Sequence, residues 1–409
     1  MAVPDLIFRQ KQQTQKTAMN VPTMLADFLD LVTPKFLNKH LQKSLSASLE
    51  SLLTNGQCSV TAIGRGIESD AQEKHCIKRA DRLLSHTTMH QTVPFFYAAM
   101  TGAIVKGKQP LILVDWSNAD KERRHFILRA SLAVEGRAMT LLQMVTTESD
   151  YNCPHLHKAF LTRLKAMLPK RCRPVIVTDA GFKVPWFKEI SALGWHFIGR
   201  VRGKVSVRLP GQSEFISVAK VYKKARQQPM VLGEIALGKS QEYACRAVLA
   251  GKGWKLRKQD KHRLHKEPWL LVSNLAYCFN YEKKINKLYA SRMQIEEAFR
   301  DQKSQTYGLG SNAHRTKKKS RLEVLLLLAA LANWLHYILG LAAELAGKHR
   351  SFQANSVKHR RVLSFNYVGK RLCRLARVGI SGEEIQAAVR QLLEWASVFD
   401  WSNVRKVIA

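Results

Sequence analysis

The chain has 409 residues, with 66 lysines and arginines against 31 aspartates and glutamates, which gives a formal net charge of +35. This length exceeds one ordinary domain, so two or three are expected, and a hydrophobic content of 46% is enough for buried cores. The basic excess predicts a polyanionic partner, with nucleic acid as the first choice. An anionic membrane surface is the competing interpretation, but no basic amphipathic anchor stands out.

Other features of the sequence exclude secretion and a membrane span. The seven cysteines form no C-x2-C pair and no zinc spacing, so we expect reduced thiols in a cytosol. The N-terminus carries Asp5 and Lys11 without a long apolar core, which is not a signal peptide. Val324–Leu341 is the most membrane-like run, but Asn333 and His336 interrupt it, and a buried helix is predicted.

The first quarter of the chain reads as helical. Residues 1–20 are polar and are expected to form a flexible N-terminus. From Pro22 to Leu53, apolar residues recur at helical spacing, and Asn55-Gly56 is predicted to end that helix. Residues 21–105 are therefore predicted to form an all-helical domain.

A second helical unit in this region carries a row of cations. We predict a short helix over Thr61–Ile67 and a longer one over Gln72–Leu84. Lys74, Lys78 and Arg82 recur every four residues and share one face of the longer helix, where they could contact DNA. The unit fits either a helix-turn-helix or a small helical domain with a basic solvated face.

Two apolar strands that end in aspartate carry the chemistry. Leu111–Val114 precedes Asp115, and Val175–Thr178 precedes Asp179; apolar runs of this length suit strands buried on both faces. Ligands of open α/β sheets bind beyond the carboxyl ends of strands. Two aspartates there, with one glutamate from a helix, can hold two divalent cations about 4 Å apart for in-line phosphoryl displacement. Either aspartate alone could equally be a loop residue or a helix cap.

The glutamate is predicted to come from one helix over residues 289–303. This stretch lacks glycine and proline and is rich in helix formers. Four of its side chains fall within roughly 60° of one face, namely Tyr289, Arg292, Glu296 and Lys303. Glu297 lies about 100° round the helix and should miss that stripe. A solvated charge ladder is the alternative interpretation.

The remaining core pattern is mixed α/β. Phe126–Val134 and Ala138–Val145 are predicted to form an antiparallel hairpin around Glu135-Gly136-Arg137. Short strands are predicted between about 203 and 266, where the run Lys252–Lys266 is strongly basic and suits either phosphate contact or a solvated face. Trp269 starts a strand that returns to the core, where tryptophan normally packs.

The spacing Tyr-x2-Arg-x3-Glu-x6-Lys at residues 289, 292, 296 and 303 resembles the YREK signature of bacterial DDE cut-and-paste insertion-sequence transposases. Neighbouring segments look like the tetracycline-resistance transposon branch of the insertion sequence four family. They are V-D-W-S (114–117), T-D-A-G-F-K-V-P-W (178–186) and R-V-R-G-K-V (200–205). The likeness covers most of the chain and is weakest in the first 20 residues and in roughly 205–265.

The resemblance implies an α/β fold, with an RNase H-like catalytic core interrupted by a β-strand insertion and flanked by all-helical N-terminal and C-terminal regions. The DNA-end-binding domain would be residues 21–105 and the core 106–202 and 267–347. The insertion would be 203–266 and the helical C-terminal region 348–409.

The resemblance also implies a DNA transposase that uses Mg²⁺, or Mn²⁺ in its place, held by Asp115, Asp179 and Glu296. Its steps would be strand nicking, hairpin formation, hairpin resolution and strand transfer. The expected partners are the inverted-repeat DNA ends of its element and target DNA. A dimer would form in the DNA complex, in a bacterial cytoplasm at the nucleoid and without a membrane.

Further residues would contact DNA in such an enzyme. Tyr289, Arg292 and Lys303 would grip phosphates, and Trp269 would stack on a flipped base. Lys183 and Arg200 are either phosphate contacts or surface charge. Two alternatives remain: a catalytically silent, transposase-derived DNA-binding protein, and a two-carboxylate glycoside hydrolase, which leaves the charge of +35 without a role.

Overall fold

The computed structural model describes residues 21–251, 267–354, 356–357, 359–375, 378–398 and 401. Two predictions therefore lie outside the described residues, namely the flexible N-terminus at 1–20 and the basic run at 252–266.

Helices alone fill the described chain up to residue 104, as predicted for the N-terminal region. The helix expected over Pro22–Leu53 is divided near Pro34, and it ends at Gly56, whose φ of 62° is the left-handed conformation that glycine favours. The bounds are α1 Val21–Val32, α2 Lys39–Asn55, α3 Val60–Arg65, α4 Glu73–Ser85 and α5 Thr87–Ile104.

The predicted strands then form one half of a sheet, with β3 at its edge. The hairpin turns at Gly136, where φ is 71°, and β1 pairs with β2 in antiparallel and with β4 in parallel orientation. β4 also pairs in parallel with β5. The bounds are β1 Leu111–Asn118, β2 His125–Ala133, β3 Ala138–Thr147, α6 Pro154–Met167, β4 Val175–Thr178, α7 Val184–Ala192 and β5 His196–Val201.

The later strands extend the same sheet. The ten strands lie in the order β3-β2-β1-β4-β5-β10-β9-β8-β6-β7. β10 is antiparallel to both neighbours, β5 and β9. After β5 the chain therefore forms β6 to β9 farther out in the sheet before β10 returns beside β5. The bounds are β6 Ser206–Arg208, β7 Ile216–Ser217, α8 Val218–Tyr222, β8 Met230–Leu237, β9 Tyr243–Ala250 and β10 Trp269–Ser273.

Five further helices follow β10. One of them, α11, is long and apolar enough to cross a membrane, but 94% of its most apolar stretch is buried inside the protein, as predicted for a core helix. The bounds are α9 Tyr281–Ala290, α10 Met293–Lys303, α11 Lys319–Leu345, α12 Phe365–Arg374 and α13 Gly382–Val398.

The prediction of one continuous helix over residues 289–303 is wrong. The chain forms two helices, α9 and α10, separated by Ser291 and Arg292. The amides of Ser291 and Arg292 donate to carbonyls three residues back, at 3.2 and 3.0 Å, so the backbone tightens into a 3₁₀-like turn. The turn lets α9 bury Ile285 and α10 bury Phe299, which outweighs the helical propensity of the stretch.

Where α11 and α12 cross, two glycines allow the backbones to touch. A Cβ on Gly369 would collide with the carbonyl group of His336 in α11. We expect Gly369→Ala to lower the free energy of unfolding by roughly 1–3 kcal/mol, because the helices must separate. Urea denaturation measures this change.

The matched control is Gly102→Ala in α5, where a Cβ would meet no atom within 4 Å. There the substitution should raise the free energy of unfolding by up to about 1 kcal/mol through helix propensity. If both variants shift stability in the same direction, the close helix crossing is not as described.

Candidate functional site

The parallel pairing of β1 with β4 places the two aspartates side by side. Val114 lies opposite Thr178 in the register, so Asp115 and Asp179 come directly after equivalent positions in neighbouring strands. The predicted strand end at Asp115 is wrong, because β1 continues through Asp115 to Asn118 in its pairing with β2. The backbone amide of Trp116 donates to Asp115 Oδ1 at 2.8 Å. The amide of Gly181 donates to Asp179 Oδ1 at 2.9 Å. These bonds fix both carboxylates toward the space beyond the strands.

Asp115 lies in an environment that disfavours its charge. Burial, and then the like charge of Asp179, raise the pKa of Asp115 to about 7, although Arg292 opposes this. The two carboxylates are therefore close enough to repel each other. A cation between them would relieve the repulsion.

Helix α10 brings Glu296 to the same place. Arg292, in the turn before α10, donates from Nη1 to Asp115 Oδ2 at 3.3 Å and from Nη2 to Glu296 Oε1 at 2.5 Å. Glu297 instead pairs with Arg300 at 2.9 Å and lies 3.7 Å from Arg137. The predicted preference for Glu296 over Glu297 therefore agrees with the side-chain directions.

Buried polar contacts hold α10 against the hairpin. Near its start, Gln294 Oε1 accepts a hydrogen bond from the Val134 amide at 3.2 Å. Farther along, Arg137 Nε pairs with Asp301 Oδ2 at 2.6 Å. Lys303 Nζ donates to Ser117 Oγ at 2.5 Å, two residues beyond Asp115. Contacts along its length thus fix the helix that carries Glu296.

Arg129 lies beneath this helix with an unusual set of partners. It is opposite Asp115 in the β1–β2 register but donates to the side-chain oxygens of Gln143 and Gln302. Its guanidinium also lies 4.0 Å from the centre of the Phe299 ring. Burial lowers the pKa of Arg129 to about 9, and burial followed by the charge of Arg129 lowers that of Lys303 to about 8. Sequence reasoning missed Arg129, because nothing in its neighbours marks a buried cation.

The structure buries two of the predicted DNA contacts. Trp269 is 8% exposed and Tyr289 is 3% exposed, and their rings meet edge to face at 4.9 Å. Tyr289 belongs to α9, behind Arg292, whose guanidinium lies 5.9 Å from its ring centre. In this conformation neither residue presents a ring face for stacking on a base.

An exposed aromatic residue that sequence reasoning missed lies at the rim instead. Tyr151 is 44% exposed and packs on Trp116 and Phe126, with ring centres 4.9 and 4.5 Å apart. Burial, and then the charges of Asp179 and Asp115, raise its pKa, so its hydroxyl lies within electrostatic range of both carboxylates. It lies in a loop outside any motif, and only the folded chain reveals its position.

Lys183 and Arg200 line a cleft of about 740 Å³ next to Asp179, together with Arg202, Lys204 and Lys239. Arg200 and Arg202 both pair with Glu267, at 3.4 and 2.9 Å. Lys183 Nζ donates to the carbonyl of Ala180 at 3.2 Å. This cleft has an apolar floor and a cationic rim.

The predicted cations of α4 divide between a cleft and open surface. Lys74, Lys78 and Arg82 are all exposed. Only Lys78 of the three lines a cleft of about 930 Å³ between α3–α4 and the segment before α11. That segment contributes Arg315, Lys317 and Lys318. The first turn of α11 adds Arg321, which pairs with Asp81 at 2.6 Å.

The three carboxylates suit a hard divalent cation in kind, because Mg²⁺ and Mn²⁺ prefer oxygen ligands. The mutual repulsion of Asp115 and Asp179 also favours a bound cation, because a positive charge between them would reduce it. In the described part of the chain, however, no three His, Cys, Asp or Glu side chains already lie close enough together to hold an ion. The guanidinium of Arg292 separates Asp115 from Glu296.

We expect Asp115→Asn to raise the unfolding temperature more near pH 8 than near pH 5, measured by calorimetry with a chelator. The raised folded-state pKa, about 7 against an ordinary 3.8, means that the folded protein keeps a proton which the unfolded chain releases. That stability is present below pH 3.8 and is lost as the pH rises through 7. Asparagine removes this loss, so an equal effect at both pH values would contradict the description.

Comparison with known proteins agrees with this geometry. The model of the family described as Transposase DDE domain matches residues 104–333, which is more than half of the chain and includes both aspartates and Glu296. No curated protein matches the chain. A mixed α/β chain with helices at both ends, one aspartate in β1, a second directly after β4 and a helix-borne glutamate thus belongs to the transposase DDE domain family.

Proposed function

We propose that the protein is a cut-and-paste DNA transposase whose catalytic residues are Asp115, Asp179 and Glu296. The observation that carries the proposal is the convergence of these carboxylates. The register of β1 and β4 sets two of them side by side, and Arg292 bridges Asp115 to the third. The match to the DDE domain over residues 104–333 supports the same assignment.

The three carboxylates would hold Mg²⁺ or Mn²⁺, which when bound supplies charge stabilisation at the attacking and leaving oxygens of a phosphodiester. Arg292 and Lys303 would hold phosphate oxygens beside the reacting bond, because both cations lie against the carboxylate group. The contacts along α10 would keep Glu296 in place during successive phosphoryl transfers.

The finer proposal rests on the YREK spacing and the tetracycline-transposon resemblance. It comprises an RNase H-like core with a β-strand insertion at 203–266, hairpin formation at the element's inverted-repeat ends, and a dimer in the DNA complex. Residues 21–105 would bind the DNA end in a bacterial cytoplasm. Base stacking on Trp269 would require its contact with Tyr289 to open, whereas Tyr151 is already exposed.

The two basic clefts support DNA as the partner. One lies beside Asp179 and carries Lys183 and Arg200. The other combines Lys78 with the segment that follows the catalytic helix. A phosphodiester backbone could contact the cations of both clefts, which a neutral sugar substrate would not need.

Cleavage of a labelled DNA fragment carrying the gene's own flanks tests the proposal. With Mg²⁺ we expect nicks and hairpins from the wild type. Glu296→Gln should bind the fragment but cut it on the order of 100-fold more slowly. The substitution removes a ligand of the metal, whose stabilisation of the transition state is worth several kcal/mol. Glu297→Gln is the matched control on the adjacent position and should cut normally.

Normal cutting by Glu296→Gln would refute the assignment of Glu296 to the catalytic site. Binding without any cutting by the wild type, with Mg²⁺ or Mn²⁺, would favour a catalytically silent DNA-binding protein. The same gels separate the aromatic roles. Loss of hairpins with retained nicks in Trp269→Ala supports the flipped-base proposal, and the same pattern in Tyr151→Ala alone transfers that role to Tyr151.

The salt dependence of DNA binding tests the cleft between α3–α4 and the segment before α11. Lys317→Gln/Lys318→Gln should weaken binding and reduce the slope of log affinity against log salt by up to about 2, because up to two phosphate contacts are lost. Fluorescence anisotropy measures it. Lys223→Gln/Lys224→Gln, which removes two exposed lysines that line neither cleft, is the control. Equal slopes for both variants would refute the role of the cleft.

A further inference from the structure

Arg292 lies between two of the three carboxylates, Asp115 and Glu296. The turn between α9 and α10 brings its side chain, which is 15% exposed, between Asp115 and Glu296. Its two terminal nitrogens each contact a different carboxylate, at 3.3 and 2.5 Å. A guanidinium fork spans two acceptors with two separate nitrogens, whereas a lysine offers a single nitrogen without a fixed direction.

The arrangement compensates charge that would otherwise oppose folding of the site. Asp115 and Asp179 repel each other, and Glu296 adds a third negative charge on the facing helix. Lys303, the other nearby cation, gives its hydrogen bond to Ser117. Arg292 is thus the cation in direct contact with the described carboxylates, and it bridges the sheet to the helix.

The bonding of Arg292 is nevertheless incomplete. Its Nε atom is buried and has no hydrogen-bond partner among the described residues. A buried donor without a partner is unfavourable, because it has lost its hydrogen bonds to water. The ion pairs therefore hold the side chain in a position that leaves one of its donors unsatisfied, and a phosphate that accepted from Nε would remove that cost.

We propose that Arg292 is an internal counterion that stands in for a divalent cation and must turn away before that cation can bind. The inference rests on the proposed function of the three carboxylates. A DNA phosphate offers the guanidinium a bidentate partner and so frees Asp115 and Glu296. Metal binding is then coupled to DNA binding, and the coupling is reciprocal.

The competing interpretation is a permanent ion pair that only fixes α10. The two differ in what removal of Arg292 does to metal affinity. A displaceable counterion competes with the metal, so its loss strengthens metal binding. A fixed structural pair holds the ligands in position, so its loss leaves metal binding unchanged or weaker.

The test is Mn²⁺ binding to the full chain without DNA, followed by the electron paramagnetic resonance signal of free Mn²⁺. We expect Arg292→Gln to bind Mn²⁺ at least about tenfold more tightly than the wild type, as expected for a competitor worth some 1.4 kcal/mol. Arg292→Lys should give an intermediate gain. Arg300→Gln, which breaks the neighbouring pair with Glu297, is the matched control and should leave affinity unchanged.

Unchanged or weaker Mn²⁺ binding by Arg292→Gln overturns the inference. If that variant does not fold, Arg292→Lys decides in the same way, because it keeps the charge but replaces the two-nitrogen fork with a single nitrogen on a shorter side chain. The gain should vanish in Asp115→Asn/Arg292→Gln. A gain that survives there places the metal elsewhere and overturns both this inference and the proposed site. Normal DNA cutting by the wild type with no gain in Arg292→Gln overturns the inference alone.

Discussion

The parallel hydrogen bonding of β1 to β4 is the constraint on which the site depends. Parallel strands in register bring the residues at equivalent positions side by side. Here those residues are Asp115 and Asp179, and their repulsion is built into the sheet. The strands are too deeply buried to shift apart, so cations must balance the charge. The positions of Arg292 and Lys303 follow from that requirement.

Helix α10, which carries Glu296, packs against the hairpin through buried polar contacts. Its contacts to the hairpin include an ion pair of Arg137 with Asp301 and the buried guanidinium of Arg129 between Gln143 and Gln302. In the described part of the chain no carboxylate pairs directly with Arg129, which makes the region under the helix electropositive. A site of three acids therefore rests on a cationic support.

Much of this organisation could be predicted from the sequence. The strands before Asp115 and Asp179, the hairpin around Gly136 and the buried helix α11 all follow from local periodicity and turn residues. The break at Ser291 could not be predicted, because helical propensity there favours continuation and only tertiary packing of α9 and α10 opposes it. The burial of Trp269 agrees with the core packing that is normal for tryptophan in such a strand. The exposure of Tyr151 near the carboxylates and the bridging position of Arg292, in contrast, depend on tertiary packing and needed the folded chain.

The path of the chain between β5 and β10 has an evolutionary consequence. These strands are antiparallel neighbours, with Val201 opposite Leu270. Everything between them, including β6 to β9, is topologically the loop of a single β-hairpin. A short turn could close that hairpin without changing any other pairing of the core strands. A segment placed in this way can be gained, lost or exchanged during descent while the carboxylate-bearing strands keep their places.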